Sequence, residues 1–91
     1  MQILTEQEIH KHLESLEGWE LDGGTIKREW NFRDFAEAMD FINMIAVIAE
    51  NHNHHPEIYN VYNRVSLRYH THDAGGITEK DIKIAREIDK L

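Results

Sequence analysis

Histidine is the residue type most able to do chemistry in this sequence. The chain has seven His, and five of them fall between positions 52 and 72: His52, His54, His55, His70 and His72. Imidazole has an unperturbed pKa near neutrality, so it can donate or accept a proton at physiological pH, and it is also the commonest metal ligand. The two stretches that contain these residues are therefore the first candidates for a functional site.

The spacing within the two stretches predicts how the rings are presented. Pro56 disfavours a helical conformation at His55, so the chain must leave the preceding helix in an extended form, with His54 and His55 on an ordered connector. His70 and His72 are two positions apart at the end of a predicted strand, so they project to one face. If that strand end lies beside the connector, several imidazoles converge on one pocket.

Spacing alone leaves three interpretations open for converging imidazoles. They can hold a metal ion, with Glu50 or Asp73 completing the two His-x-His pairs. They can act as an acid and base pair without a metal. They can also be solvated side chains with no function, which is what we expect for His10 and His12 on the first helix.

Length and composition exclude several classes of protein. Ninety-one residues predict one domain, residues 1–91, and the absence of Cys excludes disulfides, thiolate zinc sites and cysteine nucleophiles. The net charge of −7, from 10 basic and 17 acidic residues, repels phosphate backbones and argues against direct nucleic-acid binding. The longest mostly apolar run, 42–49, is too short to span a bilayer, so no membrane association is expected. No secretory signal is visible, so we expect a cytoplasmic protein.

Two capping boxes mark helix starts near the two ends of the chain. Thr5 and Glu8 predict a first helix over about 6–17, which Gly18 would end. Thr78 and Asp81 repeat the pattern and predict a third helix that continues to the C-terminus. Asp81 therefore has an interpretation as a capping carboxylate, independent of any role in a site.

The middle of the chain reads as two hairpins that flank a long helix. A turn at Asp22-Gly23-Gly24 joins the first two strands. The period-two pattern after Ile58 predicts the second hairpin. Its loop could be a two-residue turn at 63–64 or a three-residue loop at 62–64. We prefer the three-residue loop, because it keeps Tyr59 and Val61 on the same face of the sheet as Leu67. The element order predicts an α+β fold: an α-β-β-α-β-β-α two-layer sandwich whose four-stranded antiparallel sheet has helices packed on one face.

The central helix, predicted over about 33–50 with Asn31 or Asp34 as its cap, is apolar on more than one side. One stripe faces the expected core, and a second stripe contains Phe41, Met44, Ile45 and Ile48. A helix in a two-layer domain of this size normally has one solvated face. We therefore interpret the second stripe as an interface and predict a homodimer or homotetramer formed through this helix and a sheet edge; cover by the other two helices is the alternative.

The residues around the histidines form a recognisable pattern. Glu50-x₃-His54-His55-Pro56 is followed by Tyr62, by His72 ten residues later and then by Asp81. Gly18-Trp19 and Phe32-x₂-Phe35 add to the likeness, which covers essentially the whole chain. This pattern resembles the signature of the pterin-4a-carbinolamine dehydratase family, and the element order predicted above is that family's fold.

The resemblance implies a dehydratase that removes water from 4a-hydroxytetrahydrobiopterin, the form of the cofactor that aromatic amino acid hydroxylases release, and gives quinonoid dihydropterin. It implies histidine acid/base catalysis with no cofactor and no metal. The implied catalytic residues are His54, His55 and His72. The implied contacts to the pterin substrate are Asn53, His54, His55, His70, Thr71, His72 and Asp73, and the possible supporting residues are Glu50, Trp19, Pro56 and Asp81.

Two alternatives to catalysis remain as hypotheses at this point. Animal members of the family also serve as dimerisation cofactors for a homeodomain transcription factor, a role that would use the apolar face of the central helix. A His-rich metal-binding module is the other alternative, and it predicts stoichiometric Zn²⁺ or Ni²⁺ and activity that chelators abolish.

Overall fold

The computed structural model describes residues 2–91. The elements run in the order α1 (Glu6–Leu13), β1 (Glu20–Asp22), β2 (Thr25–Asn31), α2 (Phe35–His52), β3 (Glu57–Val61), β4 (Arg64–Tyr69), a 3₁₀ turn (His72–Ala74) and α3 (Glu79–Ile88). The predicted order of helices and strands is confirmed.

The four strands form one antiparallel sheet in the spatial order β1-β2-β4-β3. Alternate residues of the two central strands, Ile26, Val65, Leu67 and Tyr69, are fully buried. They share one core with buried residues of α2 and α3, whereas the residues between them in sequence belong to the opposite face of the sheet. The predicted two-layer α+β sandwich is confirmed.

Helix α1 is shorter than predicted, because it ends at Leu13 rather than near residue 17. The amide and the hydroxyl of Ser15 both donate to the carbonyl oxygen of His12, and the amide of Leu16 donates to that of Leu13. These bonds to the residue three positions back tighten the chain and turn Leu16 into the core. The predicted capping box of Thr5 and Glu8 is present at the start of the helix.

Helix α2 begins and ends two residues later than predicted, because of its caps. Asp34, one of the two predicted caps, accepts a hydrogen bond from the amide of Glu37 at 2.9 Å. At the other end Asn53 adopts the left-handed conformation, with φ of 48°, and the amide of His54 donates back to the carbonyl oxygen of Ala49 at 2.9 Å. None of the helices within residues 2–91 has the length and apolar character needed to cross a membrane.

The loop predicted for the second hairpin is wrong. Val61 pairs with Arg64, so the turn consists of Tyr62 and Asn63. Both loops considered from the sequence would pair the two strands in a different register from the observed one. The side-chain amide of Asn60 donates to the carbonyl oxygens of Tyr62 and Arg64, and that of Asn63 donates to Phe32, which ties the turn to its neighbours. As a result Tyr59 and Val61 are exposed on the open face of the sheet instead of sharing the face of Leu67.

The second apolar stripe of α2 is mostly covered by the chain itself. Phe41, Ile45 and Ile48 are buried, and the ring of Phe41 lies 4.8 Å from that of Trp30. The interpretation of the entire stripe as an interface is therefore wrong, because β2 and α3 supply its cover. Of the four residues only Met44 stays exposed, and it does so beside the exposed Val47.

Candidate active site

A cavity of about 280 Å³ lies where the connector after α2, the segment after β4 and the start of α3 meet. It is lined by Asn53, His54, His55, His70, Thr71, His72, Asp73 and Lys80. The structure thus brings together all of the residues that the family resemblance implied as substrate contacts. Lys80 is the lining residue that sequence analysis missed, and its only signal was its place in the first turn of the helix that Thr78 caps.

The connector after α2 presents two neighbouring histidines in different environments. His54 is buried, its ring lies 5.0 Å from the ring of Tyr69, and its carbonyl oxygen accepts a hydrogen bond of 3.1 Å from the Tyr69 hydroxyl. His55 is exposed, and its Nε2 pairs with the carboxylate of Glu50 in the last turns of α2. One ring is therefore fixed in the protein interior, whereas the other is held at the rim of the cavity by a surface carboxylate.

The second histidine stretch follows β4 rather than belonging to it, contrary to the prediction. Strand β4 ends at Tyr69, and Thr71 closes a small loop by donating its amide to Gly76 at 2.8 Å. The 3₁₀ turn begins with His72 inside this loop. The rings of His70 and His72 are 6.2 Å apart and close to perpendicular, so loop closure and not strand pleating brings them to the cavity.

A buried polar network lies behind His54, and Asp81 is at its centre. One carboxylate oxygen of Asp81 lies 2.5 Å from Nε2 of His54. The other accepts hydrogen bonds of 2.9 Å from the Thr71 hydroxyl and from the Thr78 amide. Asp81 is 0% exposed, so water does not complete these contacts. The carboxylate therefore caps α3, as its sequence pattern predicts, and also holds one of the cavity histidines.

Trp19, predicted as a possible neighbour of the substrate, is not brought to the cavity. Its ring is buried, packs edge-on against Trp30 at 5.7 Å, and donates from Nε1 to Asp89 at 2.9 Å. Asp89 follows the last turn of α3 and Asp81 lies in the first, about 12 Å apart along a helix axis. Trp19 is a core residue near the end of α3 that is distant from the cavity.

The remaining supporting residues differ in their relation to the cavity. Pro56 does not line it, but it begins the extended stretch that leads into β3. Glu50 does not line the cavity but contacts His55, which does. His52 turns away and pairs with Glu87 of α3, so the His52-x-His54 pair does not converge. Within residues 2–91 no group of three or more His, Asp or Glu side chains is arranged to hold a metal ion.

Tyr69 is the one residue of this region whose pKa clearly departs from its ordinary value. Burial raises the pKa of the Tyr69 phenol well above its usual range, and the negative charge of Asp81 raises it further. The phenol therefore stays protonated, which it must be in order to donate its hydrogen bond to the carbonyl oxygen of His54. This bond connects the core of the sheet to the connector that carries the catalytic candidates.

The fold and the cavity together define a class of protein: a small α+β sandwich with a polar cavity that is lined by histidines and suited to proton transfer. The family model described as pterin 4 alpha carbinolamine dehydratase matches residues 2–91. The chain belongs to this family.

Relatives and a solved structure resemble this chain over nearly its whole length. A protein of Sulfurisphaera tokodaii, provisionally named pterin-4-alpha-carbinolamine dehydratase, is 45% identical and covers 100% of this chain and 98% of its own. A protein of Rhizobium meliloti with the same provisional name is 49% identical, over 90% of this chain and 81% of its own. A crystal structure titled transcriptional coactivator/pterin dehydratase, from Brucella melitensis, aligns with a TM-score of 0.92 at 43% identity, over 98% of this chain and 97% of that one.

Proposed function

We propose that this protein is a 4a-hydroxytetrahydrobiopterin dehydratase, a hydro-lyase that gives quinonoid dihydropterin in tetrahydropterin recycling. The observation that carries the proposal is the meeting of His54, His55 and His72, from two distant stretches of chain, around one cavity. The family membership and the names of the relatives support the same reaction. The volume of about 280 Å³ is close to the lower end of the usual range for ligand pockets, which suits a small bicyclic substrate.

The proposed reaction is an elimination that needs two proton transfers. The bond from C4a to its hydroxyl oxygen breaks, a double bond forms between C4a and N5, and N5 loses its proton. One neutral imidazole accepts the N5 proton, and one imidazolium protonates the departing hydroxyl, which leaves as water. The electron pair of the N5–H bond becomes the new double bond and that of the C4a–O bond leaves with the water, so no oxidant or reductant is needed.

The environments of the three histidines support a division of labour. His54 is buried and fixed by Asp81, whereas His72 lines the same cavity from the 3₁₀ turn and is exposed. We assign the acid and base roles to this pair and propose that they exchange roles in the reverse reaction. His55, held by Glu50, positions the pterin, together with Asn53, His70, Thr71 and Asp73.

A dehydration assay with metal-free protein tests the proposed reaction. The carbinolamine is generated in the assay, and its disappearance is followed by absorbance with protein that has been dialysed against a chelator. We expect dehydration well above the uncatalysed rate, with no change on addition of Zn²⁺ or Ni²⁺. Activity that appears only after metal is restored would favour the metal-binding alternative. No acceleration with or without metal would reject the dehydratase.

We also propose that the chain forms a homodimer or homotetramer. Three large apolar side chains of α2, Phe35, Met44 and Val47, are exposed. Strand β3 is an edge strand whose Ile58 and Val61 are exposed as well, so its free backbone groups can pair with another copy. The exposed Met44 and Val47 could instead contact a protein partner. A variant that lacks the three histidines and still assembles would separate that role from catalysis.

A charge placed on the exposed side of α2 tests the proposed assembly. We expect Met44→Glu to lower the particle mass measured by light scattering, because an interface would have to desolvate the new carboxylate. Gln7→Glu on the exposed side of α1 adds the same charge and is the control. An assembly of unchanged mass in Met44→Glu, with an intact circular dichroism spectrum, would exclude this face of α2 as the interface.

A further inference from the structure

We infer that Asp81 fixes the tautomer of His54, so that Nε2 carries the proton and Nδ1 is the atom that exchanges a proton with the substrate. This inference rests on the proposed function, but its test does not depend on activity. Asp81 is here a positioning residue: it contacts His54 and not the reacting atoms.

One carboxylate oxygen of Asp81 faces away from His54. It accepts from the Thr78 amide, a backbone group that can only donate. It also accepts from Thr71, whose hydroxyl oxygen lies 2.7 Å from that of Thr78. The Thr78 hydroxyl oxygen accepts from the Lys80 amide, so it can pass its own hydrogen to Thr71, and Thr71 passes its hydrogen to Asp81. Every donor in this chain points toward the carboxylate.

The other carboxylate oxygen of Asp81 lies 2.5 Å from Nε2 of His54. An ionised carboxylate has no hydrogen to give, so Nε2 must donate in both the neutral and the cationic ring. The position of Asp81 in the first turn of α3 favours its negative charge, since the amino end of a helix carries a partial positive charge. The lone pair of neutral His54 is then on Nδ1.

With Nε2 occupied by a fully buried carboxylate, Nδ1 is the nitrogen left for a ligand, and His54 is one of the lining residues. The same carboxylate links the segment after β4, through Thr71, to the connector after α2, through His54. The Asp81 side chain thus determines which nitrogen of His54 carries the proton. It also holds the two segments that form the site in a fixed position relative to each other.

Nuclear magnetic resonance of the ring nitrogens tests the assignment in the unaltered protein. Long-range correlations between ring hydrogens and ¹⁵N distinguish a protonated from an unprotonated nitrogen, and the missing signals of His54→Gln identify the residue. In the spectrum of the neutral ring we expect a protonated Nε2 and an unprotonated Nδ1. A protonated Nδ1 would show that Asp81 holds the proton and donates it, and the inference would be wrong.

Asp81→Asn provides a change of tautomer with little change of shape. The Thr78 amide and the Thr71 hydroxyl still need an acceptor, so the amide oxygen of Asn takes their side and its NH₂ faces His54. Nε2 must then accept, and the proton moves to Nδ1. In serine-protease triads the corresponding change lowers kcat about 10⁴-fold through the wrong tautomer, so we expect a loss of about 10³–10⁴-fold here. A His54 that keeps its proton on Nε2 in this variant would contradict the inference.

Glu8→Gln is the matched control, because Glu8 occupies the same capping-box position in α1 without a histidine attached. We expect it to leave the ring signals of His54 and the activity unchanged. The outcomes separate the two proposals. A protonated Nε2 in an inactive wild-type protein would reject the dehydratase and keep the tautomer. A protonated Nδ1 in an active protein would do the reverse. The wild-type spectrum decides the tautomer even if Asp81→Asn fails to fold.

Discussion

Replacing either His54 or His72 by Gln is expected to lower the kcat of carbinolamine dehydration by about 10²–10⁴-fold, the usual contribution of a well-placed proton transfer. The two losses have different structural origins, because one ring is buried against Asp81 and the other is exposed on the 3₁₀ turn. His55→Gln is expected to raise KM with a smaller effect on kcat, since this ring is assigned to positioning.

Stopped-flow measurement of kcat and KM for the three variants checks this division. Gln is the preferred replacement because its amide offers a donor to Asp81, which keeps the buried carboxylate from losing its partner. His10→Gln is the control, since His10 is exposed on α1, where it pairs with Glu6. A loss of turnover in His55→Gln, with full turnover in His54→Gln or His72→Gln, would overturn the assignment of roles.

The sequence predicted those parts of the fold that depend on local chemistry. Both capping boxes are present, since a Thr and an acidic residue three positions later satisfy amides of the same helix turn. The first hairpin was also predictable, because Gly23 and Gly24 suit its two-residue turn. The register of the second hairpin was not predictable, because the side-chain amides of Asn60 and Asn63 fix the turn by donating to carbonyl oxygens. One of these acceptors belongs to Phe32, which follows β2 and is distant in sequence.

The lining of the cavity was predictable only through the family resemblance, because spacing alone left metal binding, acid/base chemistry and solvation equally open. The contact between His54 and Asp81 had no signal in the pattern, since these residues are 27 positions apart and Asp81 already had a role as a cap. The placement of Trp19 was undetermined for a similar reason: its neighbours Trp30 and Asp89 are distant in sequence. Local rules identify elements, whereas the site depends on contacts between distant segments.

The buried phenol of Tyr69 should make the protein lose stability at alkaline pH. Its pKa is raised in the folded chain, chiefly by burial and then by the charge of Asp81. The unfolded chain therefore releases this proton first, near its ordinary pKa of about 10, whereas the folded chain retains it. Fewer protons are then bound to the unfolded state, so the free energy of unfolding falls by about 1.4 kcal/mol per pH unit above about pH 10. Below that pH this contribution is fully present.

Tyr69→Phe should remove this slope while costing a roughly constant 1–2 kcal/mol for the lost hydrogen bond to His54. The measurement is urea unfolding of both proteins across the alkaline range, with the free energy of unfolding compared at each pH. Tyr59→Phe is the control, because its phenol is exposed to water in the folded chain. A parallel loss of stability in the wild-type protein and in Tyr69→Phe would contradict the prediction. It would mean that the Tyr69 phenol ionises in the folded chain as readily as in the unfolded one, so that its hydrogen bond to the connector of His54 is lost without unfolding.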